Sequence, residues 1–215
     1  MNIAWKELRR RPARFVTATG ILTLIALLLM FLGGLLDGLI AQSTNAIEVQ
    51  RADLLVFSRA SRDSFVRSRI DPALAEQVHA VPGVVEVGGI GVAQVGARVP
   101  GNGPRDLASV ALFGVEFAPR GVPRVPETGT AYADRSLRSD GVRVGQTLLL
   151  GPARTPVQVI GFVDDTNYSG QGSMWASLDT WRTVLRENRP QEVLAPGVVQ
   201  SLRSEEHTSE LQSLR

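Results

Sequence analysis

From Phe15 to Leu36 the chain reads FVTATGILTLIALLLMFLGGLL, without one charged side chain. At about 1.5 Å per residue these residues make a helix of roughly 33 Å, enough to cross a bilayer core of about 30 Å. Lys6, Arg9, Arg10, Arg11 and Arg14 stand before the run, and Asp37 closes it. Everything after that aspartate is therefore expected on the far side of a membrane. A cleaved secretory signal would need a shorter apolar region and a small-x-small cleavage site, and Leu39, Ile40 and Ala41 match that site poorly. The reading is a retained anchor.

The sequence pI of 9.6 invites comparison with nucleic-acid binders, but the charge is unevenly placed. Residues 1–14 hold five basic groups against one acid, whereas residues 15–202 hold sixteen arginines against seventeen acids. A nucleic-acid binder needs its basic excess on the folded part. Here the excess stands beside the apolar run, as expected for a flank retained in the cytoplasm. Cysteine is absent, so neither a disulfide nor a thiolate metal site is available.

Residues 2–11, NIAWKELRRR, put Ala4, Trp5 and Leu8 on one helical face. They are expected to form a short amphipathic helix on the headgroups, with Trp5 at the interface and Lys6 and the arginines near anionic lipid. Pro12 fits an elbow between that helix and the span. Gly34 and Gly38 make a GxxxG at the outer end of the span, a spacing that lets membrane helices approach closely.

After Asp37, helix is expected to continue through GLIAQSTNAIEVQ, and ADLLVFS (residues 52–58) reads as the first strand. A polar loop follows, RASRDSFVRSR. Asp71 and Pro72 then read as N-cap and first residue of a short helix ending before Pro82-Gly83. Strands are expected at VVEV, at GVAQVGARV and near ASVALFGV, with a turn at residues 100–104 and a proline-rich loop over residues 118–129. TAYADRSLRSDGVRVGQTLLLGPARTPVQVIGFVDD reads as a strand, a short helix and two strands paired about Gly151-Pro152. SMWASLDTWRTVLREN reads as a strand leading into a helix capped near Ser177. The expected fold class is α+β: an elbow helix (residues 1–14), one transmembrane helix (15–36) and a mixed α+β extracytoplasmic domain (37–202). RSEEHTSELQS, from Arg203, resembles the translation of a sequencing-adapter oligonucleotide. Residues 203–215 are accordingly expected to be a non-native tail, and the chain an N-terminal fragment.

No catalytic constellation emerges. With His207 in the tail, His79 is the one remaining histidine, and nothing argues for a triad around it. Asp164 and Asp165 are adjacent, so on a strand they would point to opposite faces; a strand-end turn fits better than a carboxylate pair. Gly88, Gly89 and Gly91 resemble a phosphate loop only loosely, and Lys6 is the sole lysine, so a Walker motif cannot be built. YSGQGS (residues 168–173) reads as a mobile linker by composition. No catalytic, cofactor-binding or metal-binding residue is assigned.

In order and spacing, the chain resembles the FtsX/MacB-type permeases of ABC transporters, in particular their DevC-like members. The resemblance is carried by Ala4-Trp5, Leu8, Arg14, Ala18, Gly20-Ile21, Met30-Phe31, Gly34, Leu36-Asp37 and Leu39, then by ADLLVFS, ALAEQVHAVPGVVEV, GVRVGQTLLL, VQVIGFV and MWASLDTWRTVL. It covers nearly all of residues 2–187. The resemblance implies a MacB-like periplasmic core domain and a subunit with four membrane helices in a bacterial inner membrane, its N-terminus cytoplasmic. It implies a homodimer with a separate cytoplasmic ATPase that binds the ATP, in some systems a membrane-fusion adaptor, and no nucleic-acid partner. The last three helices and the cytoplasmic coupling segment have no counterpart here. Two other readings compete: a single-span anchored binding or adaptor module, and a secreted enzyme with a cleaved signal.

Overall fold

The computed structural model describes residues 12–59, 68–103, 105–189 and 199–206. The chain divides into two compact units, Met1–Ala41 and Gln42–Arg215. Helix α1, Pro12–Glu48, begins in the first and ends in the second. Within it the stretch Phe15–Ile40 has a mean hydropathy of 2.5 and no buried residue, the surface expected of a helix made to face lipid. By length and composition the candidate span runs from Phe15 to Ile40. Trp5, Lys6, Arg9, Arg10 and Arg11, assigned to an interfacial helix, lie outside the described residues.

The second unit is built on a sheet of eight strands, ordered β1-β8-β2-β3-β7-β4-β6-β5, in which β5 also pairs with β2. The strands are β1 (Leu54–Phe57), β2 (Val84–Arg98), β3 (Leu107–Val115), β4 (Thr130–Asp134), β5 (Thr147–Leu150), β6 (Thr155–Val163), β7 (Gly172–Ser177) and β8 (Ser201–Glu206). Following the pairings from β2 through β3, β7, β4, β6 and β5 returns to β2, so six strands form a closed ring. The return is made by Ala97 opposite Leu150 and Arg98 opposite Leu149, with the Gly151 amide donating to the Gly96 carbonyl at 2.8 Å. Closure removes the open edges that a free sheet would present. The first half of β2 leaves the ring to pair with β8, and β8 pairs with β1.

Two short helices flank the sheet. In α2 (Pro72–His79) the Asp71 carboxylate accepts from the Ala73 amide at 2.9 Å and Pro72 opens the first turn, as the sequence leads one to expect. In α3 (Leu178–Asn188) the Ser177 hydroxyl accepts from the Thr180 amide. A 3-10 turn, Arg135–Arg138, follows β4, and Asp134 caps it.

Strands β3 and β7 are apolar at successive positions because both of their faces are buried. Val110, Leu112, Met174 and Ala176 join the cluster that includes Leu148, Val157, Trp181 and Leu185. Ala111, Phe113, Val115 and Trp175 join a second cluster with Ala46, Val122 and Val163.

Several expectations change. VVEV and GVAQVGARV are one strand: Gly88 and Gly89 continue it rather than breaking it. The three glycines are no phosphate loop either. Gly91 lies directly opposite Gly114 across the β2–β3 ladder, and the indole of Trp181 lies over both. A Cβ on Gly91 would fall 2.5 Å from Trp181 Cε2, while Gly89 is faced by Val199 and Leu178, and Gly88 by Phe117. These glycines make room for large side chains. Strand β8 also runs past Leu202, with Arg203 and Ser204 opposite Leu55 and Leu54. Ladder pairing uses backbone groups that every non-proline residue carries, so it is indifferent to where residues 203–206 come from.

Candidate functional site

Among the described residues no cluster of His, Asp and Glu could hold a metal ion. His79 ends α2 and is exposed. Asp164 is engaged with Arg135, its carboxylate 2.7 Å from Nε, and Asp165 occupies a turn at φ 53°. The two carboxylates are therefore turn residues. Arg14 lies in the first turns of α1. Gly34 and Gly38 are exposed on that helix, and among the described residues nothing from outside the helix packs on the GxxxG face.

A polar network in the second unit surrounds the last turns of α1. Residues Gln42–Glu48 belong to this unit, and here one face of the helix is covered: Ala46 is 0% accessible, while Ser43 and Glu48 stay exposed. Ile47 and Val49 pack against the cluster of Phe113 and Trp175. The chain holds this segment by its backbone. The Ala46 amide donates to the Asn167 carbonyl at 3.0 Å, and the Ser169 amide donates to the Ser43 carbonyl at 3.2 Å. Positions 43 and 46 are three apart and so share a helix face. Just past the helix, the Arg120 amide donates to the Val49 carbonyl at 2.8 Å, and the buried Gln50 side chain donates to the Ala46 carbonyl at 2.8 Å.

Asn167 and Ser169 belong to the connection between β6 and β7, residues 164–171. The Tyr168 and Gln171 backbones bond each other at 2.9 and 3.0 Å, with Ser169 and Gly170 both at positive φ (52° and 72°). Two central residues at positive φ define the tight hairpin turn of type I′. The expectation of a mobile linker at YSGQGS is corrected on this point: the segment is a hydrogen-bonded turn leading directly into β7. Ser-Gly between two strands was the available signal.

The connection is tied down at its other end by Asp134, which is 2% accessible. One carboxylate oxygen accepts from the Ser136 amide at 2.8 Å. The other accepts from both the amide and the hydroxyl of Thr166, each at 2.8 Å. The Thr166 hydroxyl is also 2.6 Å from the Ser173 hydroxyl, and the Ser136 hydroxyl donates to the Asn167 side-chain carbonyl at 3.0 Å. A buried carboxylate with three donors is a satisfied one, so the network holds its shape.

Tyr168 drops from the turn onto the aromatic cluster. Its ring meets Phe113 edge-on at 5.3 Å, and Phe113 stacks on Trp175 at 4.5 Å. Burial pushes the Tyr168 phenol above its usual 10.0. The folded protein therefore keeps this proton after the unfolded chain has lost it. Stability from this group is full below pH about 10 and falls as pH rises beyond that value. In Tyr168→Phe that alkaline decline should be shallower, read as the difference between the two proteins' denaturation midpoints across pH about 9 to 11. Superimposable pH profiles would mean that the phenol is not desolvated.

On the barrel surface, Arg138 lies 4.4 Å over the Phe162 ring and helps line an open depression of about 480 Å³ with Val142, Arg143 and Val144. It brings together no acid–base pair.

No protein-family model and no curated protein matches the chain. Among solved structures, the chain is similar to the periplasmic region of MacB from Actinobacillus actinomycetemcomitans, at 13% identity and a TM-score of 0.49, over 72% of this chain and 74% of that one. It is also similar to the extracellular domain of the noncanonic ABC-type transporter YknZ from Gram-positive bacteria, at 13% identity and a TM-score of 0.46, over 72% of this chain and 83% of that one. Both neighbours are ectodomains. At these scores the likeness carries no argument about activity.

Proposed function

We propose that the chain belongs to an ABC-transporter permease subunit. In this reading the ectodomain is moved by ATP hydrolysis in a partner, for export or for transmitting force across the membrane. The observation that carries the reading is helix α1. It is a single element from the apolar stretch Phe15–Ile40 to Glu48, and its last turns are held by the domain that follows. A tethered binding module needs no grip on its anchor helix, whereas an element that must pass on displacement needs one. The family resemblance of residues 2–187 supports the same reading, and it supplies the expected homodimer, the cytoplasmic ATPase and, in some systems, an adaptor. The basic flank of residues 1–14 supports a cytoplasmic N-terminus.

The test is purification of the full-length gene product from its native membrane in mild detergent. A stoichiometric ATP-hydrolysing subunit should accompany it, with two copies of the permease per particle. A particle of one chain with no ATPase would sink the proposal and favour the anchored binding module.

A further inference from the structure

Strands β6 and β7 flank the turn of residues 164–171, and between them they pair with β3, β4 and β5. The turn is thus rooted in most of the ring, and through Asn167 and Ser169 it also grips α1. We infer that Asp134 is the positioning residue of this joint. Its carboxylate fixes the turn in the one shape that presents the Asn167 carbonyl and the Ser169 amide to the helix, so that displacement of α1 is passed to the barrel rather than absorbed by the turn. The inference rests on the permease reading above.

Three observations carry it. First, the grip on the helix is made of backbone groups, an acceptor at Asn167 and a donor at Ser169, so it depends on the path of the turn and not on side-chain identity. Second, that path is costly to hold by itself: Asp165 and Ser169 both adopt positive φ without being glycine, a conformation that persists only where neighbours enforce it. Third, the enforcement converges on one group. Asp134 holds Thr166 by two hydrogen bonds, and Thr166 lies between Asp165 and Asn167. Asp134 also caps the 3-10 turn that carries Ser136, and Ser136 donates to the Asn167 side chain. Arg135, paired with Asp164, adds an exposed contact from the same turn.

Asp134 lies outside the apolar stretch, and its hydrogen bonds run to Ser136 and Thr166, neither of them in α1. If it served folding alone, its replacement would lower the melting temperature and leave the response of the assembled protein to nucleotide intact.

The test uses the full-length protein with its ATPase in lipid nanodiscs, comparing wild type with Asp134→Asn and, as a milder change, Thr166→Val. Hydrogen exchange at the Ala46 and Ser169 amides should quicken at least tenfold in Asp134→Asn, while Val92 and Val110 in the ring stay protected. Spin labels at the exposed Val144 of each subunit should shift their separation on trapping with ATP and vanadate in wild type. In Asp134→Asn that shift should be lost while ATP hydrolysis stays within about twofold of wild type. A Ser43→Cys/Ser169→Cys pair, oxidised in the Asp134→Asn background, should restore the shift by replacing the lost grip with a covalent one. Unchanged exchange at Ala46 and Ser169 in both variants overturns the positioning role. Quickened exchange with an undiminished label shift leaves Asp134 a purely structural residue and overturns the coupling. If wild type itself shows no shift while the exchange result holds, it is the permease reading that fails, and the coupling with it. Should Asp134→Asn not fold, Thr166→Val decides on the same readouts, with smaller expected changes.

Discussion

Trp181→Ala is expected to cost about 3–5 kcal/mol, the usual range for emptying a large aromatic site. The side chain is 0% accessible and lies across Gly91 and Gly114, which face each other on neighbouring strands. The two positions beneath it carry no side chain that could move into the space. For a domain of this size such a loss lowers the melting temperature by roughly 6–20 °C, read by circular dichroism. The indole Nε1 has no hydrogen-bond partner among the described residues, so Trp181→Phe should cost less than the alanine change. The opposite error is available at the same site. A Cβ on Gly114 would collide with Trp181 and approach the Leu178 Cα to 3.2 Å, and backbone cannot swing aside. Gly114→Ala alone should therefore destabilise by about 1–3 kcal/mol, with or without the indole, because Trp181 Cβ is the atom it meets first. At Gly91 the nearest atoms are those of the indole ring itself, so Gly91→Ala should cost clearly less when Trp181 is already alanine. Additive losses would mean that the indole does not cover that glycine.

The second large effect belongs to the first unit. Leu27 and Leu28 lie at the middle of Phe15–Ile40 and are 59% and 57% accessible, since nothing among the described residues covers them. Placing arginine at both should disfavour membrane insertion by roughly 6 kcal/mol, at about 3 per arginine near a helix centre. The double variant should leave the membrane pellet on alkaline carbonate extraction, whereas wild type stays. Retention of both equally would mean that α1 does not span.

What could be read from the residues was local. An uncharged stretch announces the long apolar helix; Asp71-Pro72 and Ser177 announce helix starts; Gly151-Pro152 announces the β5–β6 hairpin; and each stands where its chemistry demanded. The ring could not be read. Its decisive contacts are the parallel pairings of β3 with β7 and β4 with β6, which join distant segments and leave no mark on either one. The doubly buried strands left a trace in unbroken apolar runs such as ASVALFGV, but a run of that kind does not say what covers its outer face. Nor did composition separate a polar turn from a polar linker at YSGQGS. The difference lies in Asp134, whose Asp-x-Ser context at a strand end reads only as a cap. Its second task, holding Thr166, depends on a residue 32 positions away.

Strand β2 belongs to two structures at once: residues from Val84 pair with β8, and residues from Ile90 onward pair with β3. Neither part is therefore a module that evolution or an engineer can cut out. Cutting at the handover near Ile90 would leave each fragment with a raw ladder edge, open to pairing with another chain. The ring and the β1–β8 sheet share one mortgage on a single ribbon, so the second unit is inherited, swapped or lost as a whole.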